Sequence, residues 1–225
     1  QNSTIDWSYH NYRDSKIASY LPAIKFLLQK NYKVIRMGKV VNEKFLINNE
    51  NFIDYPFLNE KSDFLDIWLI AKSYFCLTTD SGLSQVGVVF NKPMLFVNHL
   101  PHGDCRTGSP KTIELFKKLY YKKSNKFMSL RDQIKMNLIH TLNGYDYLNN
   151  NIEIIDNSEE EILNAVKEME KLASNKNYSE QSFDEIQKIF WAIFNEWEDF
   201  NKYHGNIRPK ISSKFLKENY KWLLN

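Results

Sequence analysis

Tyr74-Phe75-Cys76-Leu77-Thr78-Thr79-Asp80-Ser81-Gly82-Leu83-Ser84 is the stretch that decides the fold. An apolar run ends in two threonines, and a tight turn of Asp80, Ser81 and Gly82 follows. Helix-forming sequence then runs from about Leu83 to Phe90, and Lys92-Pro93 closes it. Met94-Leu95-Phe96-Val97-Asn98 is a second apolar run of strand length. Strand, turn, helix and strand at this short spacing predict two parallel strands joined by a crossover helix.

Upstream the alternation continues. Ile17, Tyr20, Leu21, Ile24, Leu27 and Leu28 recur at helical spacing and predict a helix over 17–30, with Pro22 in its first turn. Tyr32 to Gly38 reads as a short β-branched strand, and Asn51 to Tyr55 as another. Ser62 is the expected N-cap of a helix running to Lys72, with Asp63 in its first turn.

Downstream the style changes. His99 to Pro110 is a Gly/Pro-containing loop, and helices are expected at about 113–120 and 130–141. Ile152 to Asp156 reads as one more strand. Ser158 and Glu161 form a capping box for a helix to about Ala173, and further helices are expected near 183–203 and 212–224. Phe190, Trp191, Phe194 and Trp197 fall at helical spacing, as core packing or as a sugar-stacking platform. The fold class that results is α/β: a Rossmann-like parallel sheet with flanking helices over 1–175, and a C-terminal helical extension over 176–225 that packs on the domain or on a missing N-terminal one.

Composition limits the function classes. Hydrophobic residues make up 43% of the 225, enough for a sizeable core, and the net charge is only +3 with the two signs interspersed. That argues against a dedicated nucleic-acid binder, whose cations gather on one face. One dense basic run, Lys117-Lys118-Leu119-Tyr120-Tyr121-Lys122-Lys123, reads as a solvated helix end, or as a contact with an anionic membrane or a phosphorylated lipid acceptor. Cys76 and Cys105 have no partner at zinc-ligand spacing, so reduced thiols in a cytoplasmic protein are the default.

Parallel sheets bind ligands at the carboxyl ends of their strands. The turn Asp80-Ser81-Gly82 lies at such an end and opens a helix, whose first N–H groups carry partial positive charge and can seat a phosphate. Ser81 and Ser84 add hydroxyls, and Gly82 permits close approach or positive φ. An ordinary turn capped by Asp80 or Ser81 fits the same residues. No Gly-Lys-Ser/Thr ending is present, only one fingerprint glycine, and no Gly before the Ser, so Walker A, dinucleotide and hydrolase-elbow readings are weak.

Several segments together resemble a family of glycosyltransferases from bacterial surface-carbohydrate gene clusters. They are Tyr12-Arg13-Asp14-Ser15, Tyr20-Leu21-Pro22-Ala23-Ile24, Val34 to Gly38, Asn51 to Tyr55, Ser62 to Asp66, Thr79-Asp80-Ser81-Gly82-Leu83-Ser84 and Asn91 to Asn98. The match spans about Trp7 to Pro101. The resemblance implies the two-Rossmann-domain architecture called GT-B, with this chain as its C-terminal, nucleotide-sugar-binding half and an N-terminal domain beyond it. It implies a metal-independent transfer from a nucleotide sugar to a carbohydrate or lipid-linked acceptor, with no cofactor and no nucleic-acid partner, in the cytoplasm or at the inner membrane face.

Such a transfer develops negative charge on the leaving phosphate, which helix N-termini, arginines and hydroxyls must offset. The expected donor-phosphate residues are Thr79, Ser81, Gly82, Leu83 and Ser84, with Arg36, Arg13 and Asn98. Arg36 also reads as a surface ion pair, and Asn98 and His99 as loop caps. Asp80 and His99 are the expected catalytic residues, with Asp14 and His10 as further bases. Two other classes stay open: a noncatalytic nucleotide-sugar-binding module, and a protein-interaction module built on the C-terminal helices.

Overall fold

The computed structural model describes residues 8–39, 41, 43–109, 111–174 and 184–225. Two 3-10 turns, Ser8–Arg13 and Ile17–Tyr20, lead into α1 (Leu21–Gln29), and Pro22 stands in its first turn as expected. β1 (Val34–Arg36) and β2 (Phe52–Asp54) pair in parallel as a two-stranded sheet. α2 (Asp63–Lys72) starts at Ser62, whose hydroxyl accepts from the Leu65 N–H.

β3 (Cys76–Thr78), α3 (Ser84–Val89) and β4 (Met94–His99) form the expected crossover, with β3 and β4 parallel. β5 (Thr112–Phe116) pairs in parallel with the other edge of β4. Among the described residues the link from β4 to β5 contains no α-helix, only a 3-10 turn at His102–Asp104. A sheet face that a crossover helix would cover therefore meets an irregular loop instead.

Residues 113–120 are not helical. They are β5 and then β6 (Lys118–Tyr121), which starts a third, antiparallel sheet with β7 (Lys126–Phe127) and β8 (Ile152–Ile155). Ile113, Phe116 and Tyr120 mimic helical spacing, and the alternation of Thr112-Ile113-Glu114-Leu115 is too short to outweigh it; every residue of β5 is buried, the polar Thr112 and Glu114 included. Nor is the lysine run a solvated helix end. The Lys117 ammonium is buried on Asp156 (2.8 Å) and the Asp14 carbonyl (2.6 Å), Lys118 pairs with Glu161 (2.9 Å), and Lys122 with Glu153 (3.5 Å).

The helix expected over 130–141 stops early. α4 (Leu130–Lys135) ends where Asn137 adopts φ 55°, a left-handed termination that Asn tolerates. After α5 (Gly144–Asn149), α6 (Glu159–Ser174) opens with the expected reciprocal bonds between Ser158 and Glu161. Ile162, Ala165, Val166 and Met169 form its buried stripe, which packs with α1 on the sheet.

The expected boundary at 175/176 and Phe183 lie outside the described residues. α7 (Glu185–Phe194), α8 (Phe200–Tyr203), β9 (Lys210–Ile211) and α9 (Ser213–Leu223) complete the chain. The long helix expected over 183–203 is thus broken after Phe194. β9 adds a fourth parallel strand, so the order is β3-β4-β5-β9. Buried Gln187 clips α7 to β9, donating to the Ile211 carbonyl (2.5 Å) and accepting its N–H (3.1 Å). Phe190, Trp191, Phe194, Phe215 and Leu216 belong to the same core as α1, α6, β4 and β5. The architecture is α/β, a Rossmann-like parallel sheet with flanking helices. Among the described residues no helix is long and apolar enough to cross a membrane.

Candidate functional site

The carboxyl ends of β3 and β4 bring the two expected catalytic residues together. Asp80 follows β3 in the left-handed region (φ 66°), so the strained position is the aspartate and not Gly82. His99 ends β4 just after a bulge, where Asn98 has φ 52° and the register with β5 shifts. An extra residue re-aims the side chains that follow it, and His99 turns toward β5. There its Nδ1–H donates to Glu114 Oε2 at 2.5 Å, while Nε2 stands 3.7 Å from Asp80 Oδ2, an ion-pair distance.

The chain of charges continues outward. Arg106, on the β4–β5 loop, contacts Asp80 Oδ2 through Nη2 and lies 3.3 Å from Asp104 Oδ2. Its backbone N–H donates to Glu114 Oε1 at 2.8 Å. Glu114, His99, Asp80, Arg106 and Asp104 thus alternate in sign from a dry interior to a partly exposed edge. The rings of Phe96 and Phe116 stack near His99, 5.4 and 6.1 Å away, and close it off from water. Burial alone would keep His99 neutral, but the charge of Glu114, then the contact with Asp80, pushes its pKa up to about 9. Burial also raises Asp80, yet contact with His99 and the Arg106 charge hold its carboxyl well below the usual range.

These shifts define the chemistry. A carboxylate held so firmly ionised is a weak proton acceptor, and a buried imidazolium has no lone pair to offer. Asp80 instead accepts from Ser84 Oγ (3.2 Å) and Gln85 Nε2 (3.3 Å), which fixes the turn at the start of α3. Asp80, His99 and Asp104 bring ligand atoms within 4.8 Å of one another, the spacing of a metal site. The Arg106 guanidinium already touches both carboxylates, so an internal cation serves the set.

The other expected residues divide. Ser81 and Gly82 are exposed at the turn, with Thr79 and Leu83 half-buried beside them. Among the described residues, the N–H groups of Ser81, Gly82 and Leu83 donate to no backbone carbonyl. Ser84 is buried and turned inward, its hydroxyl also donating to the Ser81 carbonyl. Arg13 is half-buried, its Nε donating to Tyr12 Oη (3.0 Å), and it has no carboxylate partner among the described residues. Burial raises the Tyr12 pKa, Arg13 opposes this, and Asp104 and Asp80 add to it, so Arg13 shares the neighbourhood of the β3 and β4 ends.

Arg36 and Asn98 are occupied elsewhere. Arg36 Nη1 bonds Asp54 (3.2 Å) across the β1–β2 pair and the Glu43 carbonyl (2.9 Å). Asn98 exchanges two bonds with Asn157, of 2.7 and 2.6 Å, and donates to Ser15 Oγ (2.7 Å). Asp14 contributes its carbonyl to Lys117, and His10 is half-buried with its pKa lowered by burial and by Arg13.

Asp104, Arg106 and Glu114 were not expected. The signal for Glu114 was one carboxylate inside Thr112-Ile113-Glu114-Leu115-Phe116, a charge that must find a partner if the run is buried. Asp104 and Arg106 also border a cleft of roughly 540 Å3 between the β4–β5 loop, α3 and the segment after α8. No protein-family model matches the chain, and no curated protein and no solved structure matches it.

Proposed function

We propose that this chain is the donor-binding part of a glycosyltransferase of GT-B architecture. The observation that carries the reading is the turn after β3. Among the described residues its N–H groups at Ser81, Gly82 and Leu83 donate to no backbone carbonyl, and they stand at the carboxyl edge of a parallel sheet near Arg13, which has no carboxylate partner among those residues. Free N–H groups at a helix start and an unspent guanidinium form an anion seat suited to a diphosphate.

In this reading Arg13 and the Ser81–Leu83 amides take the negative charge that develops on the leaving nucleotide. Asp80, His99, Glu114 and Arg106 hold the turn in shape. They are positioning residues, because their protons are already committed. A proton acceptor for the incoming hydroxyl belongs to the acceptor-binding half, as the two-domain architecture allows. Arg36 and Asn98 have no part in the seat.

Nucleotide release tests this. The protein, with any companion domain of its natural polypeptide, is incubated with UDP-, GDP-, ADP-, CMP- and dTDP-sugars, with and without oligosaccharide acceptors. The reading expects one donor class to be bound and turned over. Binding without turnover in the presence of acceptors points to a noncatalytic nucleotide-sugar module, and no interaction with any donor removes both.

A further inference from the structure

We infer that the cleft beside Arg106 is a carbohydrate-ring subsite, separate from the phosphate seat and adjoining it. The inference rests on the proposed glycosyltransferase reading only for the origin of the ring, donor or acceptor.

The cleft exists because the β4–β5 crossover is a loop. Gly103 to Ser109 form one wall, Gln85 and Val88 of α3 another, and His140, Tyr203, His204 and Gly205 a third. Its volume of roughly 540 Å3 lies within the ~300–1,000 Å3 of small-molecule sites. Three properties of the lining select the ligand.

The first is charge balance. Arg106 is matched by Asp80 and Asp104, and burial holds both His140 and His204 toward the neutral form. No unmatched cation lines the cleft among the described residues, so a phosphate gains nothing there, in contrast to the seat at Arg13. The occupant is neutral.

The second is the mixture of donors and acceptors. Asp104 accepts, Arg106 donates, and Thr107, Ser109 and the Gln85 amide can do both. Vicinal hydroxyls, each a donor and an acceptor, suit such a wall, because neighbouring carboxylate and guanidinium groups can bond the same pair.

The third is the aromatic wall. Tyr203 is half-exposed and lies parallel to buried Trp197, with centroids 5.4 Å apart and planes within 5°. His140 packs 4.3 Å from Tyr203 and 5.5 Å from Trp197. Trp197 itself is too buried to meet a ligand; it stiffens the two rings that border the cleft. A rigid aromatic wall facing polar groups fits a ring with apolar C–H faces and hydroxylated edges, which describes a pyranose.

The test follows the side-chain NMR signals of Tyr203 and His140 in the intact protein. Methyl glycosides of glucose, galactose and N-acetylglucosamine are added to roughly 10 mM, enough to fill a site with a Kd near 1 mM. Nucleoside diphosphates and nucleotide sugars are added separately. The inference expects at least one glycoside to shift both residues, and Tyr203→Leu to weaken that glycoside at least fivefold while Tyr203→Phe keeps it. A nucleotide sugar that shifts these signals where its bare nucleotide does not identifies the ring as the donor's; a response to glycosides alone identifies an acceptor. Shifts caused by the bare nucleotide would overturn the inference in favour of a nucleobase pocket, and no shift with any sugar would overturn it outright. Since glycosides carry no phosphate, the subsite can succeed or fail independently of the anion seat.

Discussion

His99 and Glu114 face each other across β4 and β5 with Nδ1 2.5 Å from Oε2, and neither side chain reaches solvent. Two opposite charges in a dry interior hold each other there, and the loss of one strands the other. Glu114→Gln keeps the shape and removes the charge. It is expected to destabilise the fold by about 3–5 kcal/mol, read as a lower urea midpoint at unchanged slope. An unchanged midpoint would mean that His99 is not charged in the folded protein.

The histidines set two pH windows for stability. Glu114 and Asp80 face His99 and raise its pKa to about 9, with Arg106 beyond Asp80. The ordinary value in the unfolded chain is about 6.5. The native state therefore holds the extra proton between these values, and the His99 contribution, complete below about 6.5, is lost as pH rises toward 9. His102 and His204 behave oppositely. Burial lowers both to about 4, so they stay neutral when folded and protonate on unfolding, and stability falls as pH drops from about 6.5 toward 4. Melting temperature is expected to peak near pH 6.5, and His99→Gln should remove the loss of stability between about 6.5 and 9 that His99 contributes.

The lysine run is structural at its first position and tolerant at its last. The Lys117 ammonium is buried between the Asp156 carboxylate and the Asp14 carbonyl. Lys117→Ala leaves the Asp14 carbonyl without its donor and is expected to cost about 1–3 kcal/mol. Lys123 is exposed, and Lys123→Ala should stay within about 0.5 kcal/mol. Thermal melts of the two variants side by side check the contrast, and equal losses would contradict it.

Two glycines should respond in opposite ways. A Cβ on Gly103 would lie 2.6 Å from the Ile139 carbonyl oxygen, which also accepts the Gly103 N–H, so Gly103→Ala must push the backbone apart at about 1–3 kcal/mol. A Cβ on Gly82 meets nothing within 4 Å. Gly82→Ala should fold as well as the parent while weakening nucleotide binding, because the methyl enters the space given to the phosphates. A Gly82→Ala protein that binds nucleotide at full strength would move the seat away from this turn.

The crossover from β3 to β4 was legible because its strands are apolar and its punctuation, Asp80-Ser81-Gly82 and Lys92-Pro93, is local. The same locality made the Ser62 cap and the Ser158–Glu161 capping box readable. β5 was not legible, because its Thr112-Ile113-Glu114-Leu115 alternation lasts only four residues, and the spacing of Ile113, Phe116 and Tyr120 fits a helix equally well. Three of the five residues of the charge array were not legible for a related reason. Asp80 and His99 stand at strand ends, where chemistry is looked for, whereas Glu114 and Arg106 acquire meaning only once β4 and β5 are neighbours. The ion-pair reading of Arg36 had no named partner, because Asp54 is 18 residues away, across a strand pairing that periodicity does not reveal.

The most direct test of the donor-site assignment is a calorimetric titration with UDP, GDP, ADP, CMP and dTDP of the parent protein, Arg13→Ala and Arg36→Ala. A charge-assisted hydrogen bond contributes about 1.5–3 kcal/mol, roughly a ten- to hundredfold change in Kd. Binding of one nucleotide to the parent, weakened to that extent by Arg13→Ala and left intact by Arg36→Ala, is the result expected. Binding that survives Arg13→Ala and is lost with Arg36→Ala, or no binding by any nucleotide to the folded protein, would contradict the assignment of the seat to Arg13 and the Ser81–Leu83 turn.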